Sequence, residues 1–156
     1  MKFKTSGGYL SAIVNKNGRR EAQVLAHLQK NLLTNNGRDA FHQLCYTNTA
    51  AGTRGFGYIA VTTDTANPAA GDTALAQELA ASGFTRADAT TKTHSAGTNS
   101  STIEHTFTAS GTVNSIVKSG TFNNASGTVL AHEATFTSAS LISGDTLKVT
   151  WTLNLG

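Results

Sequence analysis

Residues 145–155, Asp-Thr-Leu-Lys-Val-Thr-Trp-Thr-Leu-Asn-Leu, alternate without a break between apolar and polar side chains. Leu147, Val149, Trp151, Leu153 and Leu155 share one parity, and Thr146, Lys148, Thr150, Thr152 and Asn154 share the other. A helix turning every 3.6 residues would scatter both sets around its axis. A strand puts them on opposite faces, one buried and one wet. Threonine suits the wet face, because its β-branch fits a pleated surface while its hydroxyl stays solvated. Ser143-Gly144-Asp145 supplies the turn that starts the strand.

The same grammar recurs upstream. Strands are predicted over 56–62, over 102–109 with Ile103 and Phe107 on one face, over 112–118, and over 128–137 with Leu130, Ala134 and Phe136 inward. Ser110-Gly111, Ser119-Gly120 and the Asn123 to Gly127 segment read as the turns between them. Short strands so punctuated predict a mainly β fold, an antiparallel β-sandwich, jelly-roll-like, with one or two short helices and an N-terminal hairpin or arm.

Asn17-Gly18 is a strong hairpin turn signal, since a type I′ turn needs two residues tolerant of positive φ. It would join a strand over 9–15 to one over 20–33. In that second stretch Val24, Leu28 and Leu32 recur every four residues, which suits helix and strand alike. The turn favours the strand, and a helix over 21–33 is its rival. Thr34 reads as an N-cap for a short helix over 35–46 that turns Phe41, Leu44 and Cys45 inward. Asp72 reads as a second N-cap, for a helix over 72–81 with Leu75 and Leu79 one turn apart and Gly83 at its end. Residues 86–101 carry little apolar pattern and read as an exposed loop or a weak edge strand. At 156 residues the chain is the size of one domain. Its organisation reads as an N-terminal arm and hairpin, 1–33, packed with a β-sandwich domain, 34–156.

Charged residues make up only 13% of the chain, about half of what a globular domain usually carries, so Thr, Ser, Asn and Ala cover the surface. The net charge of +3 is unevenly placed. Up to Tyr46 seven basic residues face two acidic ones, a local charge of +5, and beyond it five face seven, a charge of −2. Such a basic portion can meet an acidic protein surface or nucleic acid, and a solvated turn around Lys16 to Arg20 is the plainer reading. Nucleic acid is not the expected partner. No segment approaches the roughly 18 to 20 apolar residues of a membrane span. The first residues, Met1-Lys-Phe-Lys-Thr-Ser, carry charge without the apolar run of a secretory signal. The lone Cys45 cannot form an internal disulfide, which suits synthesis in a reducing cytosol.

Catalytic signatures are missing. His27, His42, His94, His105 and His132 are scattered without metal-ligand spacing. His105 and His132 each fall among apolar residues of a strand, where core histidines satisfied by hydrogen bonds are expected more often than ligands. Gly52-Thr-Arg-Gly-Phe-Gly57 has the glycines of a phosphate loop but not its order or its following Lys, so turn glycines leading into a strand are the better reading. Asp64, Asp72, Glu78, Asp88, Glu104, Glu133 and Asp145 form no evident acid/base pair. The expectation is a protein that is not an enzyme and has no catalytic residues, no metal site and no cofactor.

Three segments together resemble small β-sandwich structural proteins of tailed bacteriophage virions, which include capsid decoration proteins and domains of tail fibres and baseplates. The first, Asn31-Leu-Leu-Thr-Asn-Asn-Gly-Arg38, is similar to the strand, Thr and Gly that precede a short helix in that family. The second runs from Tyr58 to Leu79, with Arg86 following, and resembles a strand, a Gly/Thr/Pro loop and a D-T-x-L-x-x-E-L helix. The third, Ile116 to Phe122, Gly127 to Phe136 and the Trp-containing last strand, is similar to the family's closing meander. The resemblance implies a virion structural protein made in the host cytoplasm, foremost a decoration or cement protein that binds the major capsid protein and stabilises the assembled shell. A homo-oligomer is implied, with a trimer as the expected form, and Lys2, Lys4, Lys16, Arg19 and Arg20 of the basic arm are the candidate partner contacts. A tail fibre, baseplate or tail-tip component is the alternative. A carbohydrate-binding module is a third class, for which Tyr9, Tyr46 and Tyr58 are the candidates, since Trp151 lies on an apolar strand face.

Overall fold

A computed structural model of the protein describes residues 9–15, 23–30, 32–37, 55–94, 100–127 and 129–154. Ten strands form among them: β1 Tyr9–Asn15, β2 Gln23–Lys30, β3 Leu32–Leu33, β4 Tyr58–Thr62, β5 Ala87–Asp88, β6 Thr91–His94, β7 Ser100–Thr108, β8 Val113–Phe122, β9 Leu130–Leu141 and β10 Thr146–Asn154. They make two antiparallel five-stranded sheets, ordered β2-β1-β10-β7-β6 and β3-β9-β8-β4-β5, packed as a β-sandwich. The candidate contacts Lys2, Lys4, Lys16, Arg19 and Arg20 lie outside the described residues.

The last strand follows its alternation as far as Asn154, with Leu153 partly buried and Leu155 outside the described residues. Leu147, Val149 and Trp151 are fully buried, and β10 runs in register with β1 on one side and β7 on the other. Leu10 and Ala12 of β1, Ile103 and Phe107 of β7, and Leu147, Val149 and Trp151 of β10 face Ile59 and Val61 of β4, Ile116 of β8, and Ala134, Phe136, Ala139 and Leu141 of β9. Phe84 closes this core, its ring stacked on Phe107 at 5.6 Å between centroids. β1 and β2 pair antiparallel, and residues 23–30 and 32–33 are strand, which decides the described part of the 20–33 segment for strand. The chain then leaves the first sheet and enters the second within a few residues, at β3.

Thr34 caps the turn that follows, its Oγ1 accepting from the Gly37 amide at 3.1 Å, and residues 35–37 are helical. The rest of the helix expected over 35–46, with Phe41, Leu44 and Cys45, lies outside the described residues, as does the Asn17-Gly18 turn. β6, in the segment read as loop or weak edge strand, is an exposed edge strand of the first sheet.

Two expectations are corrected. The segment 72–81 is not a helix but an irregular run laid along β4. The Leu79 amide donates to the Val61 carbonyl at 3.0 Å, Glu78 bridges Thr62, and Gln77 takes a positive φ of 52°. A helix would put Leu75 and Leu79 on one face. The fold instead needs Leu75 on the outer side of the second sheet, with Phe122 and Leu130, and Leu79 against the core between the sheets. Ser119-Gly120 is not a turn either, for β8 passes straight through it. Ser119 is fully buried, and a Cβ on Gly120 would sit 2.7 Å from Leu130 Cδ1, so the glycine is there for close packing.

Gly83 thus ends no helix, but it takes a φ of +86°, and a Cβ there would lie 1.9 Å from the Thr108 carbonyl oxygen. Gly83→Ala therefore combines left-handed backbone strain with a collision against fixed backbone. It is expected to lower unfolding free energy by about 2–4 kcal/mol, read as a fall in the urea midpoint at unchanged slope.

Candidate functional site

The chemistry of the described residues gathers on the outer face of the second sheet. Tyr58, Ala60, Phe122 and Leu130 form a small apolar patch there, and Leu75 covers it. Beside the patch, strand pairing sets Gly120 opposite both Ala60 and Glu133, and sets Lys118 opposite Thr62. Lys118 and Glu133 are 2% and 1% exposed, so each must find partners or carry the cost of losing water.

The loop after β4 brings those partners. Lys118 Nζ lies 2.7 Å from Asp64 Oδ2 and 3.8 Å from Glu133 Oε2. Asp64 is held in place by its own neighbours: its amide donates to Thr62 Oγ1 at 3.0 Å, and its Oδ1 accepts from the Ala66 amide at 3.2 Å. The Ala69 amide is within bonding distance of Glu133 Oε1, at 3.1 Å, and of Asp72 Oδ2, at 2.9 Å. Asp72 and Glu133 are hydrogen-bonded to each other, which requires one of them to carry a proton. Burial and the Asp72 contact push the Glu133 carboxyl up to about 7, and the same hydrogen bond holds Asp72 below the usual carboxylate range. The hydrogen bond from Lys118 holds Asp64 low as well. An amine, an ionised carboxylate and a carboxyl protonated near neutrality thus meet around one nitrogen.

Arg86 fastens the neighbouring edge. Its Nε donates to Glu78 Oε1 at 2.8 Å, its Nη1 donates to the Gly127 carbonyl at 2.6 Å, and its guanidinium carbon stands 3.4 Å from the centroid of the Phe122 ring. Arg86 joins three segments at once, with 9% of its side chain exposed. Removing it with Arg86→Ala strands Glu78 and uncovers Phe122. A loss of about 2–4 kcal/mol is expected in chemical denaturation, with Arg86→Lys recovering only a minor part because it cannot pair in two places.

A second polar group lies between the sheets. Trp151 Nε1 donates to Ser119 Oγ at 3.2 Å, and Ser119 Oγ donates to the Ala60 carbonyl at 2.9 Å. His132 Nδ1 is 3.0 Å from Thr121 Oγ1, and its ring lies 6.2 Å from that of Trp151. Burial pushes His132 down to about 4. His105 sits on β7 with its ring edge-on to Phe107 at 4.6 Å, its Nδ1 buried without a partner, and burial lowers it too. His105 and His132 belong to different sheets, and among the described residues no group of three His, Cys, Asp or Glu could hold an ion. His94 is an exposed edge residue near Ser100 and Ser101; His42 and the side chain of His27 lie outside what is described. Of the glycine-rich segment, Gly57 is a turn residue leading into β4, its amide bonded to the Gly55 carbonyl at 2.7 Å.

Sequence reasoning missed the Asp64, Asp72, Lys118 and Glu133 cluster. Lys118 and Glu133 each stand in a strand that mixes apolar, small and polar residues, so nothing in the local pattern marks either charge as buried.

The two buried titrations act in opposite directions. The folded state binds the Glu133 proton that the unfolded chain releases between about 4.5 and about 7, so that group's contribution falls as pH rises through this range. The folded state refuses the His132 proton that the unfolded chain takes up between about 6.5 and about 4, so that contribution rises with pH. The wild-type protein is expected to show a shallow dependence of its urea midpoint on pH between about 4.5 and 6.5, and Glu133→Gln a clear rise with pH over the same range. An equally shallow profile for Glu133→Gln would show that Glu133 does not hold a proton.

Among the described residues no helix is long and apolar enough to cross a membrane. Comparison with family models, with curated proteins and with solved structures found no match for the chain.

Proposed function

We propose that this protein is a structural component of a tailed-bacteriophage virion, foremost a decoration protein that adheres to the assembled capsid, in line with the resemblance of its segments 31–38, 58–79 and 116–155 to that family. The observation that carries the reading is the outer face of the first sheet. Strand register lines up Ser100, Thr102, Glu104, Thr106 and Thr108 of β7 against Asn154, Thr152, Thr150, Lys148 and Thr146 of β10, all on the side away from the core. Of these ten residues Lys148 and Glu104 are the charged ones and they pair, Lys148 Nζ lying 2.9 Å from Glu104 Oε2, while Thr150 donates to the same carboxylate at 2.9 Å.

A pair of strands lined with hydroxyls, its two charges paired, suits a broad protein contact. It carries little apolar area to drive aggregation before docking, and each threonine offers a methyl for packing and a hydroxyl for hydrogen bonding across an interface. Binding confined to the assembled shell would stabilise that shell by mass action. The basic arm that holds Lys2, Lys4, Lys16, Arg19 and Arg20 is the natural second contact, reaching an acidic neighbour, and a trimer is the oligomer we propose.

A sugar-binding role is less well supported. Trp151 is fully buried and its indole nitrogen is bonded to Ser119, so it cannot stack on a sugar, and Tyr58 packs against the covered patch of the second sheet.

Peptide mass spectrometry of purified virions tests the proposal by the copy number of this chain relative to the major capsid protein. A ratio near one supports decoration, a much smaller ratio transfers the protein to the tail, and absence from virions overturns both. On the decoration reading, Thr106→Arg with Thr152→Arg is expected to reduce binding to purified capsids at least about tenfold while the melting temperature stays within a few degrees of wild type, since surface substitutions of this kind cost little stability.

A further inference from the structure

We propose that Lys118 and Asp64 form an intramolecular amide bond, with Glu133 as the group that moves protons between them, so that the loop after β4 becomes covalently tied to the middle of β8. This inference goes beyond the virion reading and does not rest on it.

The geometry supplies the parts of a condensation. The nucleophile is a lysine nitrogen buried in the sheet, 2.7 Å from the carboxylate oxygen that would leave. The oxygen that would stay, Asp64 Oδ1, already accepts the Ala66 amide at 3.2 Å, the kind of donor that stabilises charge developing on a carbonyl oxygen. A third group, Glu133, stands 3.8 Å from the same nitrogen. Its position is fixed by the Ala69 amide at 3.1 Å and by its hydrogen bond to Asp72, which makes Asp72 a positioning residue. An ion pair alone would not need a third carboxyl that holds its proton near neutrality.

The step balances without any other reactant. One proton passes from the Lys118 ammonium to Asp64 Oδ2, leaving a neutral amine beside a carboxylic acid. The Nζ lone pair attacks Asp64 Cγ, and the carbonyl electron pair moves onto Oδ1. Glu133 gives its proton to the departing hydroxyl, the Cγ–Oδ2 bond breaks as the Oδ1 pair returns, and water leaves. Glu133 then recovers a proton from Nζ, so it ends as it began. Opposite charges vanish together, which leaves the net charge of the cluster unchanged. Burial favours this direction, because separated charges are costly where little water reaches them. Fixed placement supplies the rest: well-oriented intramolecular partners react with effective molarities on the order of 10⁵ M or more.

Intact mass spectrometry of the full-length, folded protein, denatured after incubation at neutral pH, tests the bond. The wild type is expected one water molecule lighter than its sequence, with a tryptic digest containing a branched peptide that joins the Lys118 and Asp64 segments. Lys118→Arg and Glu133→Gln are expected at full sequence mass, with folding confirmed by their buried-tryptophan fluorescence. Asp64→Asn is expected to lose ammonia instead of water, a signature that no simple ion pair produces. A folded wild type at full sequence mass, or a water loss that persists in Lys118→Arg, overturns the proposal.

Discussion

Over residues 59–62, 118–122 and 130–136 the second sheet is buried on both faces, and much of the structure answers to that constraint. Its inner face meets the first sheet, while its outer face lies under the 63–83 segment and Arg86. Any polar side chain on that outer face is cut off from water, so Lys118 and Glu133 oblige the covering loop to deliver Asp64, Asp72 and the Ala69 amide at bonding distance. The loop is thereby held by charge and hydrogen bonds at one end, by Leu75 in the middle, and by Glu78 and Leu79 along β4 at the other.

Between the sheets, polar pairs set how the two layers meet. Apolar packing alone tolerates sliding, because one aliphatic contact can replace another. The chain from Trp151 through Ser119 to the Ala60 carbonyl links β10 to β8 and β4 with directional bonds. Thr121 and His132 pair within the second sheet, between β8 and β9. A shift of one sheet over the other would leave the Trp151 indole N–H buried and unpaired, which costs more than the bond itself contributes.

How much of this could be read in advance follows from the same asymmetry. The first sheet is open on one side, so β7 and β10 write their two faces as alternating letters, and Ile103, Phe107, Leu147, Val149 and Trp151 could be assigned to the core from spacing. The second sheet has no wet face over residues 59–62, 118–122 and 130–136, and its strands lose the period there. Gly120 then looked like a turn when it is a packing residue, and Leu75 and Leu79 looked like one helical face when they serve opposite sides of a sheet. The acidic cluster was illegible for a different reason. Asp64 meets Lys118 across 54 positions, and Ala69 meets Glu133 across 64, and no local spacing encodes such contacts.

The contrast between the two outer faces also bears on what the molecule does. A sheet face that must stay soluble alone and later be covered cannot be strongly apolar, which would aggregate, or strongly charged, which would resist desolvation. Threonine satisfies both demands: it is compatible with strand geometry, wets in isolation, and gives up little when a partner's hydrogen bonds replace those of water. The paired Lys148 and Glu104 fit the same logic, since a neutralised pair presents less net charge to an approaching surface than either residue alone. The closed face, by contrast, spends its charged groups internally, on Lys118, Asp64, Asp72 and Glu133, where they fasten a loop. One sheet is built to be finished within the chain, and the other has the surface chemistry of a face that another molecule could complete.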